Sequence, residues 1–423
     1  MELVIEGRVL LEGGLSECCI GIEDGKIAKI AKTIERSDRR LDFSRLIVMP
    51  AGIDLHVHFR EPGMTQKEDF GTGSAAAACG GVSYVLDMPN TKPPTMTLSD
   101  LKEKMALASK NSHVDFGIAA LLDENTDVSN LDGQASAFKI FLGETTGGLG
   151  IPTSDLAKVL SKASDCRTPI FVHAERTGAL PEAVEKNLVD HDARRSEKSE
   201  REAVELVCAS RRGSQTIHLL HATQAEVLGM ARKGGITAEV TPHHLLLDTH
   251  SGLGALGKIN PPLRCKSTRV RLWDAFAKGG ADTIGSDHSP HTEGEKEQEF
   301  DAAPSGMPGV ETMMPLMLQK VAEKKLEIEV LSRCCSSRPA EIAGLNKGRI
   351  GVGADADLIV VDIRKSAKIS ADRLHSKCGW TPYEGMEAVF PALTMIRGEE
   401  VARGGELSGG RIGRFAPQGR APR

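Results

Sequence analysis

The chain has 423 residues, 40% hydrophobic and 26% charged, which is the composition of an ordinary globular protein and too long for one small core. Its formal net charge of −5 gives no reason to expect a nucleic-acid or anionic-membrane partner. No apolar run of about eighteen residues occurs, and residues 1–14 lack the basic-then-apolar order of a signal peptide, so we expect a cytoplasmic protein.

The two ends of the chain share a pattern of short strands and turns. Residues 1–49 contain several short apolar runs, and Asp24-Gly25 is a strong hairpin signal between two of them. Such a short segment cannot bury its own apolar face, and similar runs recur after residue 347. We therefore predict a small β-sandwich domain built from residues 1–49 and 347–423.

The middle of the chain, residues 50–346, alternates short apolar strands with helical stretches, which is typical of βα units. The predicted strands are residues 53–58, 83–88, 116–121, 137–142, 170–173, 216–221, 237–240 and 283–286. Eight such units indicate an α/β fold, the (β/α)8 TIM barrel, whose chemistry lies at the carboxyl ends of the strands. A doubly wound open sheet is the alternative, but no GxGxxG phosphate loop follows the first strand.

Nine cysteines, an odd number, occur without any CxxC spacing. In a chain of this length such thiols are typically reduced and buried as small apolar residues. We therefore expect neither a disulfide framework nor a zinc ribbon.

Polar side chains recur where the predicted barrel strands end. Alternation along the first strand places His56 and His58 on one side, which makes half of a metal site. Four histidines, one carboxylate and one lysine at the same end of a barrel are difficult to explain as packing, and they can hold two divalent cations with an anionic bridge. These residues are His56, His58, Lys139, His173, His221 and Asp287.

Lys139 is the unusual member because it lies within an apolar strand. A lone ammonium there would be costly to bury and would repel two cations. One interpretation is an ion pair with an acid such as Glu144. The other is that burial lowers the pKa of the amine, which then adds carbon dioxide and bridges the metals as a carbamate.

Short motifs along nearly the whole chain resemble those of a known family. The first is DLHVHFREPG at residues 54–63, and the others lie at residues 87–91, 138–139, 172–175, 220–223, 241–244, 260–264, 285–291, 308–312 and 379–385. Together they resemble the dihydroorotases, within the cyclic amidohydrolases. The resemblance implies the barrel, a two-metal site and N6-carboxylated Lys139, and it is the only basis for expecting a homodimer. Ala51 departs from the glycine usual in relatives, which should perturb only the strand entry.

The resemblance also implies how the site is divided between two metals, of which zinc is the most suitable for imidazole ligands. The implied ligands are His56, His58, Lys139 and Asp287 for one ion, and Lys139, His173 and His221 for the other. A hydroxide between the metals would attack the ring amide, since a metal lowers the pKa of bound water from about 15.7 to about 7. Asp287 would carry the proton to the leaving nitrogen.

The implied reaction is the reversible cyclisation of N-carbamoyl-L-aspartate to (S)-dihydroorotate in pyrimidine biosynthesis. Arg60 would decide the substrate, because a guanidinium fork binds a carboxylate through two parallel hydrogen bonds. Hydantoinases and allantoinases lack this arginine in the matching motif, since their substrates lack the carboxylate. Further implied substrate contacts are Asn90, Asn260, His291 and the backbone of Pro308 and Gly309.

Two other functions stay open at this point: a hydantoinase or allantoinase, and a non-catalytic scaffold relative, although the complete ligand set argues against a scaffold. Arg60 alone would also be compatible with a surface salt bridge. His243 and His244 are expected in supporting or structural positions. Residues 292–307 are either a loop that closes over substrate or an ordinary solvated connection. The Gly- and Arg-rich tail, residues 403–423, is expected to lie along the surface.

Overall fold

The computed structural model describes residues 1–143, 148–176 and 184–416. Glu144, considered above as a partner of Lys139, and residues 417–423 of the tail lie outside these ranges. The strands are β1 Leu3–Leu11, β2 Gly14–Glu23, β3 Lys26–Ala31, β4 Arg39–Pro50, β5 Gly52–Val57, β6 Val82–Asp87, β7 Asp115–Leu121, β8 Ala137–Leu142, β9 Ile170–Ala174, β10 Ile217–Leu219, β11 Thr237–Val240, β12 Thr283–Ile284, β13 Leu358–Val361, β14 Ala367–Lys368, β15 Glu387–Ala388, β16 Leu393–Ile396, β17 Glu399–Arg403 and β18 Glu406–Leu407. The α-helices are α1 Phe70–Cys79, α2 Leu98–Asn111, α3 Val128–Leu131, α4 Leu156–Lys162, α5 Leu188–Arg194, α6 Glu197–Ser210, α7 Ala225–Lys233, α8 Pro242–Leu246, α9 Lys266–Ala277, α10 Glu293–Lys296, α11 Val310–Ala322, α12 Ile328–Ser332 and α13 Arg338–Ala343.

The eight central strands form a closed parallel barrel. Strands β5 to β12 pair in sequential order, and each pair is parallel. The barrel closes where Val57 pairs with His288 and the His58 amide donates to the His288 carbonyl at 2.8 Å. The predicted (β/α)8 barrel is therefore confirmed.

The alternation of side chains along β8 places its one charged residue inside the barrel. Every residue of this strand is buried, as in parallel sheets that are covered on both faces. Phe138, Ile140 and Leu142 belong to the main apolar core, which includes residues of the surrounding helices. Lys139 is out of phase with these three and so points into the barrel.

A second eight-stranded sheet is assembled from both ends of the chain, in the order β3-β2-β1-β4-β13-β16-β17-β18. Strand β4 joins the two ends, because it pairs in parallel with β1 and antiparallel with β13. Ile5, Ile20, Leu358 and Val360 pack together in its core. The predicted β domain from both termini is thus confirmed, while its boundaries at residues 49 and 347 stay a prediction.

The sixth and eighth barrel strands are shorter than predicted. Strand β10 ends at Leu219 and β12 at Ile284. Shortly after each strand the backbone turns left-handed, with φ of 39° at His221 and 43° at Asp287. This conformation cannot continue a β-ladder, so each strand ends shortly before its left-handed residue, His221 or Asp287.

Residues 292–307 are anchored at one buried side chain. Helix α10 lies in this segment, and Lys296 in it is only 2% exposed. The Nζ atom of Lys296 donates to the carbonyls of Lys258, Pro304 and Gly306 at 3.2, 2.9 and 3.0 Å. Among the described residues, no helix is long and apolar enough to cross a membrane.

Candidate active site

One cleft at the carboxyl ends of the barrel strands collects the candidate metal ligands. It has a volume of about 470 Å³ including its open mouth. The predicted ligands in its lining are His56, His58, Lys139, His173, His221 and Asp287. Parallel strands bring their carboxyl ends to the same rim of a barrel, so these six residues, from five strands or strand ends, meet there.

Three donor atoms stand at metal-ligand spacing on one side of the cleft. Oδ1 of Asp287 lies 3.3 Å from Nε2 of His56 and 3.1 Å from Nε2 of His58, and the two nitrogens are 3.3 Å apart. Ligand atoms that share one cation at about 2.1 Å lie about 3.0–3.4 Å from each other. The spacing therefore fits a common divalent ion.

The other side of the cleft holds a second pair of imidazoles. Nδ1 of His173 lies 2.9 Å from Nε2 of His221. The two rings stand nearly perpendicular, with centroids 4.7 Å apart. Burial lowers the pKa of both imidazoles, which favours the neutral form that binds metals.

Oxygen acceptors behind three of the histidines fix which nitrogen faces the cleft. Nδ1 of His56 is 2.9 Å from Oε1 of Glu239, and Nδ1 of His58 is 2.6 Å from Oδ1 of Asn90. Nε2 of His173 is 2.9 Å from Oε2 of Glu175. When each of these outer nitrogens donates its proton, the remaining lone pair points into the cleft, as in many metal centres.

Lys139 lies between the two groups of donors without a hydrogen-bond partner. Its side chain is fully buried, and its Nζ atom makes no hydrogen bond to any described residue. The ring of Phe141 is its nearest cation–π neighbour, with the centroid 4.7 Å from Nζ. Burial lowers the pKa of this amine to about 7, against the opposing effect of Asp287 and Glu239. Such an amine is available as a neutral nucleophile near neutral pH.

Asp287 is held as a carboxylate. Burial by itself raises the pKa of this group, but His56, His58 and Lys139 outweigh burial and lower the pKa. Its backbone is left-handed, as are those of Arg60 and His221, with φ of 43°, 62° and 39°. Non-glycine residues in this conformation carry strain that commonly clusters at functional sites.

Arg60 is buried beside the candidate metal ligands. It is 5% exposed, and no carboxylate of the described residues forms an ion pair with it. Its Nε donates to the Pro290 carbonyl at 3.2 Å, and one terminal nitrogen lies 3.4 Å from Nε2 of His291. Burial lowers the pKa of Arg60 to about 10, so the guanidinium remains charged at neutral pH.

The remaining predicted substrate contacts divide into two groups. Asn90 and Asn260 line the cleft, and Oδ1 of Asn260 accepts from Ser305 at 3.2 Å. His291 lies behind Arg60, where its Nε2 is 3.1 Å from the Ser305 carbonyl. Burial and the nearby Arg60 and Lys67 lower the pKa of His291 to about 2, so it is neutral.

Pro308 and Gly309 are not brought to the cleft wall. The Gly309 amide donates to Nδ1 of His288 at 3.1 Å, at the start of α11. Ser305 and Gly306 line the cleft instead. The physical reason is that the chain has already turned into α11 at Gly309, whereas the Lys296 anchor holds residues 304–306 against the site.

Two buried acids that support the site are absent from the sequence-based expectations. Glu239 stands within the short apolar strand β11, so the argument made for Lys139 would also have identified it. Glu175 follows the ligand His173 by two positions. It is held by Arg195, with Nη2 2.8 Å from Oε2, and this cation and His173 lower its pKa although burial raises it.

The neighbouring histidines occupy structural positions. His244 is 2.8 Å from Oγ1 of Thr241 and 3.0 Å from the Pro261 carbonyl, through its two ring nitrogens. His243 is buried against the His244 ring and has no hydrogen-bond partner among the described residues. Neither residue lines the cleft. The candidate donors in the cleft are therefore four imidazoles and a carboxylate around one amine, and such donors suit a divalent cation of the zinc class.

The chain is similar to known proteins along nearly its whole length. The pattern of the amidohydrolase family matches residues 47–401. A dihydroorotase of Methanosarcina mazei is 41% identical, over 93% of this chain and 92% of its own length. A dihydroorotase of Thermoplasma volcanium is 37% identical, over 99% of both chains. Among solved structures, the L-hydantoinase of Arthrobacter aurescens superposes with a TM-score of 0.93 at 27% identity, covering 98% of this chain and 99% of that one.

Proposed function

The chain belongs to the amidohydrolase family and, within it, to the dihydroorotases, and we propose that it catalyses reversible hydrolysis of dihydroorotate to N-carbamoyl-L-aspartate. In the hydrolytic direction the ring carbon–nitrogen amide bond breaks, water supplies the hydroxyl of the new carboxyl group, and the nitrogen gains a proton. The reverse reaction closes the ring in pyrimidine biosynthesis.

The choice of substrate depends on the guanidinium of Arg60, which is buried without an ion-pair partner among the residues that the structure describes. A buried cation without a counter-ion is costly, and the cost is removed when an anionic ligand enters. Dihydroorotate keeps a free carboxylate outside the reacting amide, and Arg60 lines the same cleft as Asp287. A hydantoin or allantoin ring offers no such group. The geometry therefore favours the acidic substrate.

We further propose that the cleft binds two divalent cations, zinc in the first place, and that Lys139 is N6-carboxylated. The proposed ligands are His56, His58, Lys139 and Asp287 for one ion, and Lys139, His173 and His221 for the other. When bound, such cations activate water and polarise the ring carbonyl. Carboxylation adds carbon dioxide to the neutral amine, so that a nitrogen–carbon bond forms and one proton leaves. The carbamate places an anionic group at Nζ of Lys139, which has no hydrogen-bond partner among the described residues. Without carboxylation, a protonated Lys139 would be a lone cation among the proposed metal ligands.

The side chains of the cleft then have separate tasks. Asp287, kept ionised, accepts a proton from the attacking water and delivers it to the leaving nitrogen. Arg60 orients the substrate through its carboxylate. Asn260 already accepts a hydrogen bond at Oδ1, so its amide NH₂ remains available to a ring carbonyl. Ser305 and Gly306 form part of one wall of the cleft.

The hydantoinase alternative keeps the same chemistry and is favoured by the fold similarity to hydantoinases. The test is to assay the purified protein on dihydroorotate, hydantoin and allantoin under identical conditions. The proposal predicts a kcat/KM for dihydroorotate at least about 100-fold above those for the neutral rings, because a site that pairs a substrate group rejects analogues that lack it. Equal or faster turnover of hydantoin would overturn the proposal. Absence of turnover with all three, in metal-loaded protein, would favour a scaffold.

The cytoplasmic location and the homodimer stay predictions. Size-exclusion chromatography with light scattering measures the oligomeric state directly.

A further inference from the structure

A second cluster of potential metal ligands lies outside the cleft. Cys79 is the last residue of α1, Glu311 lies in the first turn of α11, and His375 precedes β15. One ligand atom from each of the three lies within 4.8 Å of the others. None of them lines the catalytic cleft. The cluster therefore needs its own explanation.

Glu311 fixes the orientation of the His375 ring. Its Oε1 lies 2.9 Å from Nδ1 of His375, and its Oε2 accepts from the His375 backbone amide at 2.7 Å. With Nδ1–H donating to the carboxylate, the lone pair of Nε2 points away from Glu311. Metal-binding histidines are commonly held in this way by an outer carboxylate.

The free side of the ring faces a thiol and a second carboxylate. Nε2 of His375 lies 3.7 Å from Sγ of Cys79 and 3.8 Å from Oε2 of Glu406. For a tetrahedral zinc with bonds of about 2.3 Å to sulfur and 2.05 Å to nitrogen, the sulfur and nitrogen are about 3.6 Å apart. The observed separation of Cys79 and His375 is close to that value.

Charge and access also suit a bound cation. A thiolate and one carboxylate balance a divalent ion, and Cys79 stands in the last turn of α1, where the helix dipole favours positive charge. A separate cavity of about 520 Å³, lined by Glu311, Leu374 and Glu406, opens at the cluster and offers an entry path. Water from this cavity is available as a fourth ligand.

We propose that Cys79 and His375 bind one divalent cation of the zinc class, with Glu311 orienting His375 and with the exposed side chain of Glu406, 3.8 Å from Nε2 of His375, turning toward the ion as a further ligand. The ion would connect the barrel, through α1, to the carboxyl-terminal segment that carries His375 and β18. It would act as a structural clip, because metal binding to the folded state adds to the free energy of unfolding. A thiol–imidazole hydrogen bond, or an imidazolium beside two carboxylates, would explain the same distances without a metal.

Cobalt(II) distinguishes these states, because thiolate ligation produces a charge-transfer absorption in the near ultraviolet. The proposed ligands of the catalytic cleft contain no sulfur, so this band reports on the second cluster alone. We expect the band in the cobalt-loaded wild-type protein and its loss in C79S and H375Q. Both variants should retain dihydroorotate turnover, which shows that they are folded. The matched control C166A, at a half-buried cysteine elsewhere, should keep the band.

Metal content gives an independent measurement. After dialysis against zinc, the wild type should retain one more ion per chain than C79S or H375Q, and E311A, which lacks the carboxylate that orients His375, should bind this ion about 10- to 100-fold more weakly. Absence of the thiolate band from the wild type, its survival in C79S, or equal zinc content in wild type and both variants would overturn the proposal.

Discussion

Nδ1 of His56 lies 2.9 Å from Oε1 of Glu239, although the two residues are 183 positions apart in the chain. This contact fixes the tautomer of His56 and leaves its Nε2 facing Asp287. Replacing such an outer acceptor typically costs 10- to 100-fold in metal affinity or activity. We expect E239A to show a loss of about that size, measured by metal titration and by kcat/KM.

The conservative variant E239Q keeps an oxygen acceptor and should lose less than E239A. E226Q is a matched control, because Glu226 pairs with Arg271 at the surface. Unchanged metal affinity in E239A would show that Glu239 does not position His56.

Substitution of Arg60 tests substrate recognition. Removing one partner of a buried charge pair costs about 2–5 kcal/mol, so R60M should lower kcat/KM for dihydroorotate by about 30- to 5,000-fold. R60K should recover little, because an ammonium cannot reproduce the planar fork. Metal content should stay at the wild-type level in both variants. The surface variant R271M should behave as wild type, and substantial dihydroorotate turnover by R60M would refute the assigned role.

Lys139 should carry the added carbon dioxide. Intact-protein mass spectrometry under mild conditions, in bicarbonate buffer, should detect one extra CO2 per chain in the wild type and none in K139A. K139A should also lose at least one metal ion and nearly all activity. Added acetate or propionate should restore part of the activity, because a small carboxylate fits the space that the substitution opens. The exposed Lys158 provides the control variant K158A. An unmodified wild-type lysine with full activity would contradict this prediction.

Asp69 should contribute stability that depends on pH. Its Oδ1 accepts from the Thr72 amide at 2.9 Å as the cap of α1, and it pairs with Lys377. Burial raises the pKa of this carboxyl, but the hydrogen bonds from Lys377 and Thr72 outweigh burial and lower it. In urea unfolding near neutral pH, D69A should lose about 1–2 kcal/mol, with solvent screening keeping the ion pair's share below about 1 kcal/mol.

The sign of the pH effect follows from the lowered pKa. In the unfolded chain the pKa of an aspartate carboxyl is about 3.9, and in the folded protein the pKa of Asp69 is lower. The contribution of Asp69 to stability is therefore complete above the unfolded pKa and is lost as the pH falls through the folded pKa. The stability difference between wild type and D69A should therefore shrink in acid. D274A, at an exposed aspartate that forms no ion pair with any described residue, should change stability by less than about 0.5 kcal/mol throughout. A difference that grows in acid would be inconsistent with this account.

Lys296 should hold the wall formed by residues 304–306. K296M removes the side-chain donor to the Pro304 and Gly306 carbonyls, whereas the Lys258 carbonyl still accepts from the Gly306 amide, and the loss should cost about 2–3 kcal/mol of unfolding free energy. KM for dihydroorotate should rise about tenfold, since Ser305 and Gly306 line the cleft. Hydrogen exchange should accelerate across residues 292–307 in K296M and not in the exposed control K278M. Unchanged exchange there would show that the anchor is dispensable.

Much of the fold follows from local patterns. Apolar runs of strand length, separated by helical stretches, predicted all eight barrel strands, because a parallel strand covered on both faces must be apolar throughout. Their ends were less predictable at β10 and β12, where left-handed residues break the ladder. Which residues of 304–309 reach the cleft was also not predictable, since that depends on the Lys296 anchor.

The sequence by itself determined which chemical groups occur at the ends of the barrel strands. They are imidazoles, a carboxylate and a lysine within an apolar strand, with an arginine nearby. The tertiary structure alone decided which partners those groups have. It showed that Glu239 stands behind His56, that Arg60 is buried without a paired carboxylate in the described part of the chain, and that Cys79 contacts His375 outside the cleft. The periodicity of apolar residues indicates which way a side chain points from its own strand or helix. Contacts between distant residues depend instead on how segments far apart in the sequence pack against one another.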